Sequence, residues 1–103
     1  GMYIAMNRFR VAPGRGAEFE DVWRRRDSRL REVPGFVSFR LLRGPETDED
    51  ILYVSHTTWT SRAAFEAWTR SEQFRAAHAG AGETKSLYLG PPQFEGFEAA
   101  IEM

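Results

Sequence analysis

The sequence contains no cysteine. That excludes disulfides, thiolate nucleophiles, iron–sulfur clusters and thiolate metal sites. Histidine is nearly as scarce. Only His56 and His78 are present, so a conventional zinc site would need carboxylates to complete it. No charge of one sign dominates. The net charge of −1 argues against nucleic acid as a partner, because that surface calls for a basic excess. No apolar run approaches the roughly 20 residues of a membrane span, so no membrane is expected. No secretory leader is visible ahead of the first strand-like stretch, and the cytoplasm is the expected location. Gly1 before Met2 reads as a cloning remnant. No G-x-G-x-x-G follows a strand, so no flavin or nicotinamide site is expected. Internal repeats and low-complexity segments are absent too.

What remains is an ordinary globular composition. With 42% apolar and 28% charged residues, a folded chain is expected rather than a disordered one. At 103 residues the chain predicts a single domain, 1–103, with a core just large enough to fold unaided.

The stretch from Phe65 to His78 concentrates unusual residues: Trp68, Phe74 and His78. Phe74 and His78 are spaced to share one helix face. Ala76 and Ala77 are small enough to let a flat ligand approach, and Gly80, Ala81 and Gly82 follow at once. A neutral imidazole at a helix end can ligate a metal or a haem. Equally, Trp68 and Phe74 can be core residues and His78 a surface cap.

Taken in order, Tyr3 to Val11 alternates as a strand with apolar residues on both faces. Tyr3, Ala5, Phe9 and Val11 point one way, Ile4 and Met6 the other. Asn7 falls on the Tyr3/Ala5/Phe9 face. Its amide either bonds local backbone or is offered to a ligand; left unmade, that bond costs about 1–3 kcal/mol. Pro13 to Gly16 is a turn. A helix is expected from Ala17 to Glu32, with Phe19, Val22, Trp23, Leu30 and Val33 as its buried stripe. The Arg24-Arg25-Arg26 run reads as a solvated face, although one of the three could pair with a ligand carboxylate. Pro34 and Gly35 end the helix.

The second strand is expected over Phe36–Leu42, and Gly44 to Asp50 is expected to be a hairpin loop. The third strand, Ile51–Trp59, places Ile51, Tyr53 and Trp59 on one face and Leu52 and Val54 on the other. His56 lies on the Leu52/Val54 face and is expected to be a hydrogen-bonded strand histidine. Thr60 or Ser61 can cap a helix from Arg62 to about Arg70, and Ser71 a second short one reaching His78. Ser86–Leu89 is a candidate extended piece, and Phe94–Glu102 a last strand.

This order, β-α-β-β-α-β, is the split β-α-β pattern of ferredoxin-like α+β folds, with a four-stranded antiparallel sheet. Two helices cover only one sheet face, yet the strands are apolar on both. A second copy of the chain is the simplest cover, so a homodimer is expected. Asn7, Trp68 and His78 would then line one pocket.

The texts Met6-Asn7-Arg8, Phe65-Glu66-Ala67-Trp68 and Phe74-Arg75-Ala76-Ala77-His78, with the Val33-Pro34-Gly35-Phe36 join, resemble one family. It is that of the IsdG-like haem-degrading monooxygenases, within the antibiotic biosynthesis monooxygenase (ABM) superfamily of dimeric α+β barrels. The resemblance implies that haem is at once substrate and cofactor, opened with O2 and electrons from an external reductase, with release of iron. His78 would be the axial ligand of the haem iron. Asn7 would donate a hydrogen bond on the distal side, Trp68 would press on the macrocycle, and Phe74 would line the haem site. Two other readings stay open: a cofactor-free ABM monooxygenase acting on a phenolic or quinol substrate, and a non-catalytic haem-binding protein. The Gly90-Pro91-Pro92 segment matches no family role.

Overall fold

The computed structural model describes residues 1–26, 29–71, 74 and 86–103. Among the described residues, strands and α-helices follow in the expected order: β1 (Tyr3–Val11), α1 (Gly16–Arg24), β2 (Phe36–Glu46), β3 (Ile51–Trp59), α2 (Arg62–Thr69) and β4 (Gln93–Glu98); the second short helix expected from Ser71 to His78 lies largely outside them. All pairings are antiparallel, and the strand order is β2-β3-β1-β4. This is the ferredoxin-like sheet, with β2 and β4 at its edges.

The alternation in β1 sorts its side chains as its apolar pattern demands. Tyr3, Ala5, Phe9 and Val11 are buried, while Arg8 and Arg10 are exposed. Both helices lie on the buried face. Phe19 of α1 packs with Phe9, Val11, Ile51 and Tyr53, and Trp68 of α2 packs with Tyr3, Ala5 and Trp59. Ser61 caps α2, its side chain accepting from the Ala64 N–H. Gly35 sits at φ +85°, and a Cβ there would collide with Ala64, so glycine is what lets α2 approach the start of β2.

Three boundaries differ from expectation. The first helix stops at Arg24 rather than running to Glu32. The chain turns through Arg29, held in the left-handed region at φ 50°, before a single 3₁₀ turn at Leu30–Glu32. Leu30 and Val33 still reach the core, but from that turn. Strand β2 continues to Glu46 instead of ending at Leu42. Its register shifts between Arg43 and Glu46 accommodate Gly44 and Pro45, which read as loop residues by type. The remaining turn is closed by the Thr47 hydroxyl, which accepts from the Glu49 and Asp50 N–H groups. Strand β4 ends at Glu98, short of Glu102. The Ser86–Leu89 piece is not extended throughout: Ser86 and Leu87 form a 3₁₀ turn, and among the described residues Tyr88 makes an isolated bridge to Val11.

The sheet face away from the helices carries Leu42 and Phe97 in the open, 41% and 46% exposed. On the helix side the core divides into two clusters. One gathers Tyr3, Ala5, Leu30, Val33, Trp59 and Trp68. The other gathers Phe9, Val11, Phe19, Ile51, Tyr53 and Leu87. Asn7 lies between Ala5 of the first and Phe9 of the second. Its cross-strand neighbour Ser55 lies between Trp59 and Tyr53 in the same way. The core is therefore split along a polar seam.

Candidate functional site

Above that seam the structure opens into a cavity of about 880 Å³. This is within the usual range for a small-molecule site. Its walls are aromatic. Trp68 and Phe74 meet edge to face at 4.9 Å, and Phe65 and Phe94 stack at 5.6 Å. Phe9 and Trp23 close the α1 side, and Tyr88, Pro91 and Pro92 the C-terminal side. A recess of about 100 Å³ shares Asn7, Trp23, Arg26, Phe65 and Trp68 with this cavity and runs down to Ser55 and Thr57 on the sheet.

Asn7 is placed by β1, whose alternation turns it toward the helices. The local backbone bond that would make it a structural residue is not formed: the Asn7 amide has no hydrogen-bond partner among the described residues. Trp68 is placed by α2, one turn before the Ser71 hydroxyl. That hydroxyl donates to the Trp68 carbonyl and accepts from the Phe74 N–H, turning Phe74 against the Trp68 ring. Asn7, Trp68 and Phe74 thus line one cavity. His78 lies outside the described residues.

His56 is on the sheet face away from the helices, in register with Met6 and Arg40. It is no part of the cavity. Its buried Nδ1 has no hydrogen-bond partner among the described residues, contrary to the bonded strand histidine expected.

The arginine run is not uniformly solvated. Arg24 and Arg25 are exposed and pair with Glu20 and Asp21. Arg26, past the end of α1, turns into the cavity with its guanidinium carbon 4.0 Å from the Trp23 ring centroid. Burial pushes its pKa below the usual range and the Tyr88 hydroxyl opposes this; a guanidinium remains charged under either influence. Arg26 is therefore a cation turned toward the cavity and resting on an aromatic surface.

Helix α1 is held by Glu20. This carboxylate accepts two bonds from Arg43, at 2.7 and 2.8 Å, and one from the Tyr53 hydroxyl at 2.5 Å. Arg43 first, and Tyr53 second, lower its pKa to about 2. The clamp ties α1 to β2 and β3 one turn before Trp23.

Trp23 and Phe65 could be read from the sequence only as apolar helix residues. Arg26 was one of three arginines open to a ligand carboxylate, with nothing in the sequence to single it out; Phe94 and the Pro91-Pro92 pair reach the cavity through tertiary placement that carries no local mark. Among the described residues there is no cluster of metal-ligating side chains.

Among the described residues, an aromatic cavity with a polar floor and an inward arginine has the chemistry to hold a large, mostly apolar ligand bearing an acidic group. Residues 2–80 match the family model described as antibiotic biosynthesis monooxygenase, and the chain belongs to that family of monooxygenases. It is 36% identical over 77 residues to a mycobilin-producing heme oxygenase of Mycobacterium tuberculosis, covering 75% of this chain and 70% of the relative. A crystal structure of a MhuD mutant with two manganese protoporphyrin IX molecules bound per active site is 30% identical, with a TM-score of 0.77 over 98% of this chain and 97% of that one. SnoaB, a cofactor-independent oxygenase from Streptomyces nogalater, is 28% identical, with a TM-score of 0.71 over 99% and 96%.

Proposed function

We propose that this chain is a haem-degrading monooxygenase, taking haem as substrate into the aromatic cavity and opening its ring with O2 and electrons from an external reductase, with release of iron. The observation that carries the reading is the convergence of Asn7, Trp68 and Phe74 on one cavity of about 880 Å³ with an inward arginine. The residues fit such a substrate. Flat aromatic walls suit a macrocycle, and Arg26 suits a carboxylate at its edge. Relatives named for haem degradation support it.

In this reading haem iron supplies the oxygen-activating chemistry. His78, four residues beyond Phe74 in the sequence, would hold the haem iron through its imidazole. The Asn7 amide would donate a hydrogen bond to the bound group, strengthened by the apolar surroundings. Trp68 bears on the face of the ring, and the aromatic walls exclude water.

We also infer a homodimer paired through the face that exposes Leu42 and Phe97, and a cytoplasmic location. Among the described residues no helix is long and apolar enough to cross a membrane.

A second reading, cofactor-free oxidation of a phenol or quinol, has the support of the likeness to SnoaB along 99% of the chain. Mixing the purified protein with hemin and then adding a reductant in air separates the readings. The proposal expects a shifted Soret band that decays. No band would leave the cofactor-free reading, and a band that persists would leave a non-catalytic haem-binding protein.

A further inference from the structure

Two hydroxyls on β3 face the helices beside the cavity, and they are used differently. Thr57 is fully engaged: its hydroxyl donates to the Ala5 carbonyl at 3.2 Å and accepts from the Trp59 indole N–H at 3.0 Å. Ser55, two residues earlier on the same face, is 6% exposed and lines the recess. Its hydroxyl has no hydrogen-bond partner among the described residues. The residue is buried but its oxygen is open to the recess rather than sealed in protein, so the lack of a partner calls for a reason on the cavity side. Packing does not supply it, because alanine would fill the site without a hydroxyl to desolvate.

The register does supply one. Ser55 is directly across from Asn7, whose amide also has no partner among the described residues and also lines the recess. Cβ atoms of such a pair are roughly 4.5–5.5 Å apart, so both side chains can reach one small group between them. The recess of about 100 Å³ has room for a diatomic or a few waters.

We propose that the Ser55 hydroxyl is a second ligand contact of this site, donating with the Asn7 amide to a small oxygen- or nitrogen-terminated group held in the recess. The inference rests on the haem reading for the identity of what delivers that group. It adds to that reading a residue which neither Trp68 nor His78 implies. Two donors fix the direction of such a group, where one fixes only its distance. Ser55 therefore bears on which edge of a bound ring is attacked.

The test uses Ser55→Ala and Ser55→Thr in the full chain, with azide as probe. In the ligand-free protein, Ser55→Ala should leave the melting temperature unchanged or raise it, since no hydrogen bond among the described residues is lost. In hemin-loaded protein, followed by the shift of the Soret band, Ser55→Ala should weaken azide binding about tenfold, the effect of one lost hydrogen bond. Ser55→Thr should restore most of it. A melting temperature lowered by several degrees in Ser55→Ala would make the hydroxyl structural and overturn the proposal. So would a normal Soret band with unchanged azide affinity. A wild-type protein that gives no Soret band would overturn the haem reading itself, and this inference with it.

Discussion

Acid should loosen helix α1 before it unfolds the sheet, and Glu20 is the group responsible. Its pKa is held at about 2, against 4.5 for an ordinary glutamate, by Arg43 and then by the Tyr53 hydroxyl. A group with a lowered folded pKa contributes its full stability above its unfolded value. That contribution is lost as pH falls from about 4.5 toward 2. A shift of this size corresponds to about 3 kcal/mol at face value. Arg43 is 66% exposed, however, so solvent screening reduces the contribution to roughly 1–2 kcal/mol. For a domain of this length that is on the order of 5–10 °C in melting temperature. Glu20→Gln keeps the shape and removes the charge. It should melt that much lower than wild type at pH 7, and the gap should close as pH approaches 2. Thermal melts by circular dichroism at pH 7, 4, 3 and 2 measure both. A variant that matches wild type at pH 7, or a gap that persists at pH 2, would refute the clamp.

Asn7→Ala should retain the hemin Soret band and lose turnover about a hundredfold or more, the usual effect of removing a positioned donor; its ligand-free melting temperature should not fall. His78→Ala should abolish the imidazole-ligated hemin spectrum and weaken hemin binding while the fold persists. His56→Ala should leave that spectrum alone, so a spectral change in His56→Ala instead would remove His78 from the site. Gly35→Ala should cost about 2–4 kcal/mol in urea denaturation, combining a left-handed φ with a Cβ driven into Ala64. Phe97→Glu should convert the expected dimer to a monomer near 11.8 kDa in light scattering; a wild type that is already monomeric at micromolar concentration would end the paired-sheet reading.

How far the sequence could be read depended on whether the deciding interaction was local. Strand β1 was legible to the residue because alternation is a property of neighbours, and Asn7 stood out as the one amide on an apolar face. The cap of α2 at Ser61 was legible for the same reason. Helix α1 was read too long because Arg24, Arg25 and Arg26 are good helix formers, and nothing nearby announces that Arg29 turns left-handed. Strand β2 was read too short because Gly44 and Pro45 are loop residues by type, and only the register shift against β3 admits them. Phe94 reaches Asn7 through the pairing of β4 with β1, across most of the chain's length. Ser55 was passed over because a serine among Ser55-His56-Thr57-Thr58 is unremarkable in a half-buried strand. Only the partners of Thr57 show which hydroxyl is spare.

The split core ties these observations together. A sheet of this size could carry one continuous apolar cluster on its helix side, and leucine at position 7 with valine at 55 would supply it. Each buried apolar side chain would add about 1.5–3 kcal/mol. The chain instead places an amide and a hydroxyl at the same point on neighbouring strands and gives neither a partner among the described residues. In a domain whose total stability is on the order of 5–15 kcal/mol, that is a large concession. The surroundings do not treat it as a defect. Trp68 and Phe74 on one side, and Trp23 on the other, stand around the seam as walls without closing over it. Glu20 anchors the helix that carries Trp23, so the gap does not collapse onto α1. Local preference and global fold disagree at Asn7 and Ser55 and agree almost everywhere else on this face. Such a confined disagreement marks a place where the protein gives up stability to keep a ligand's seat open.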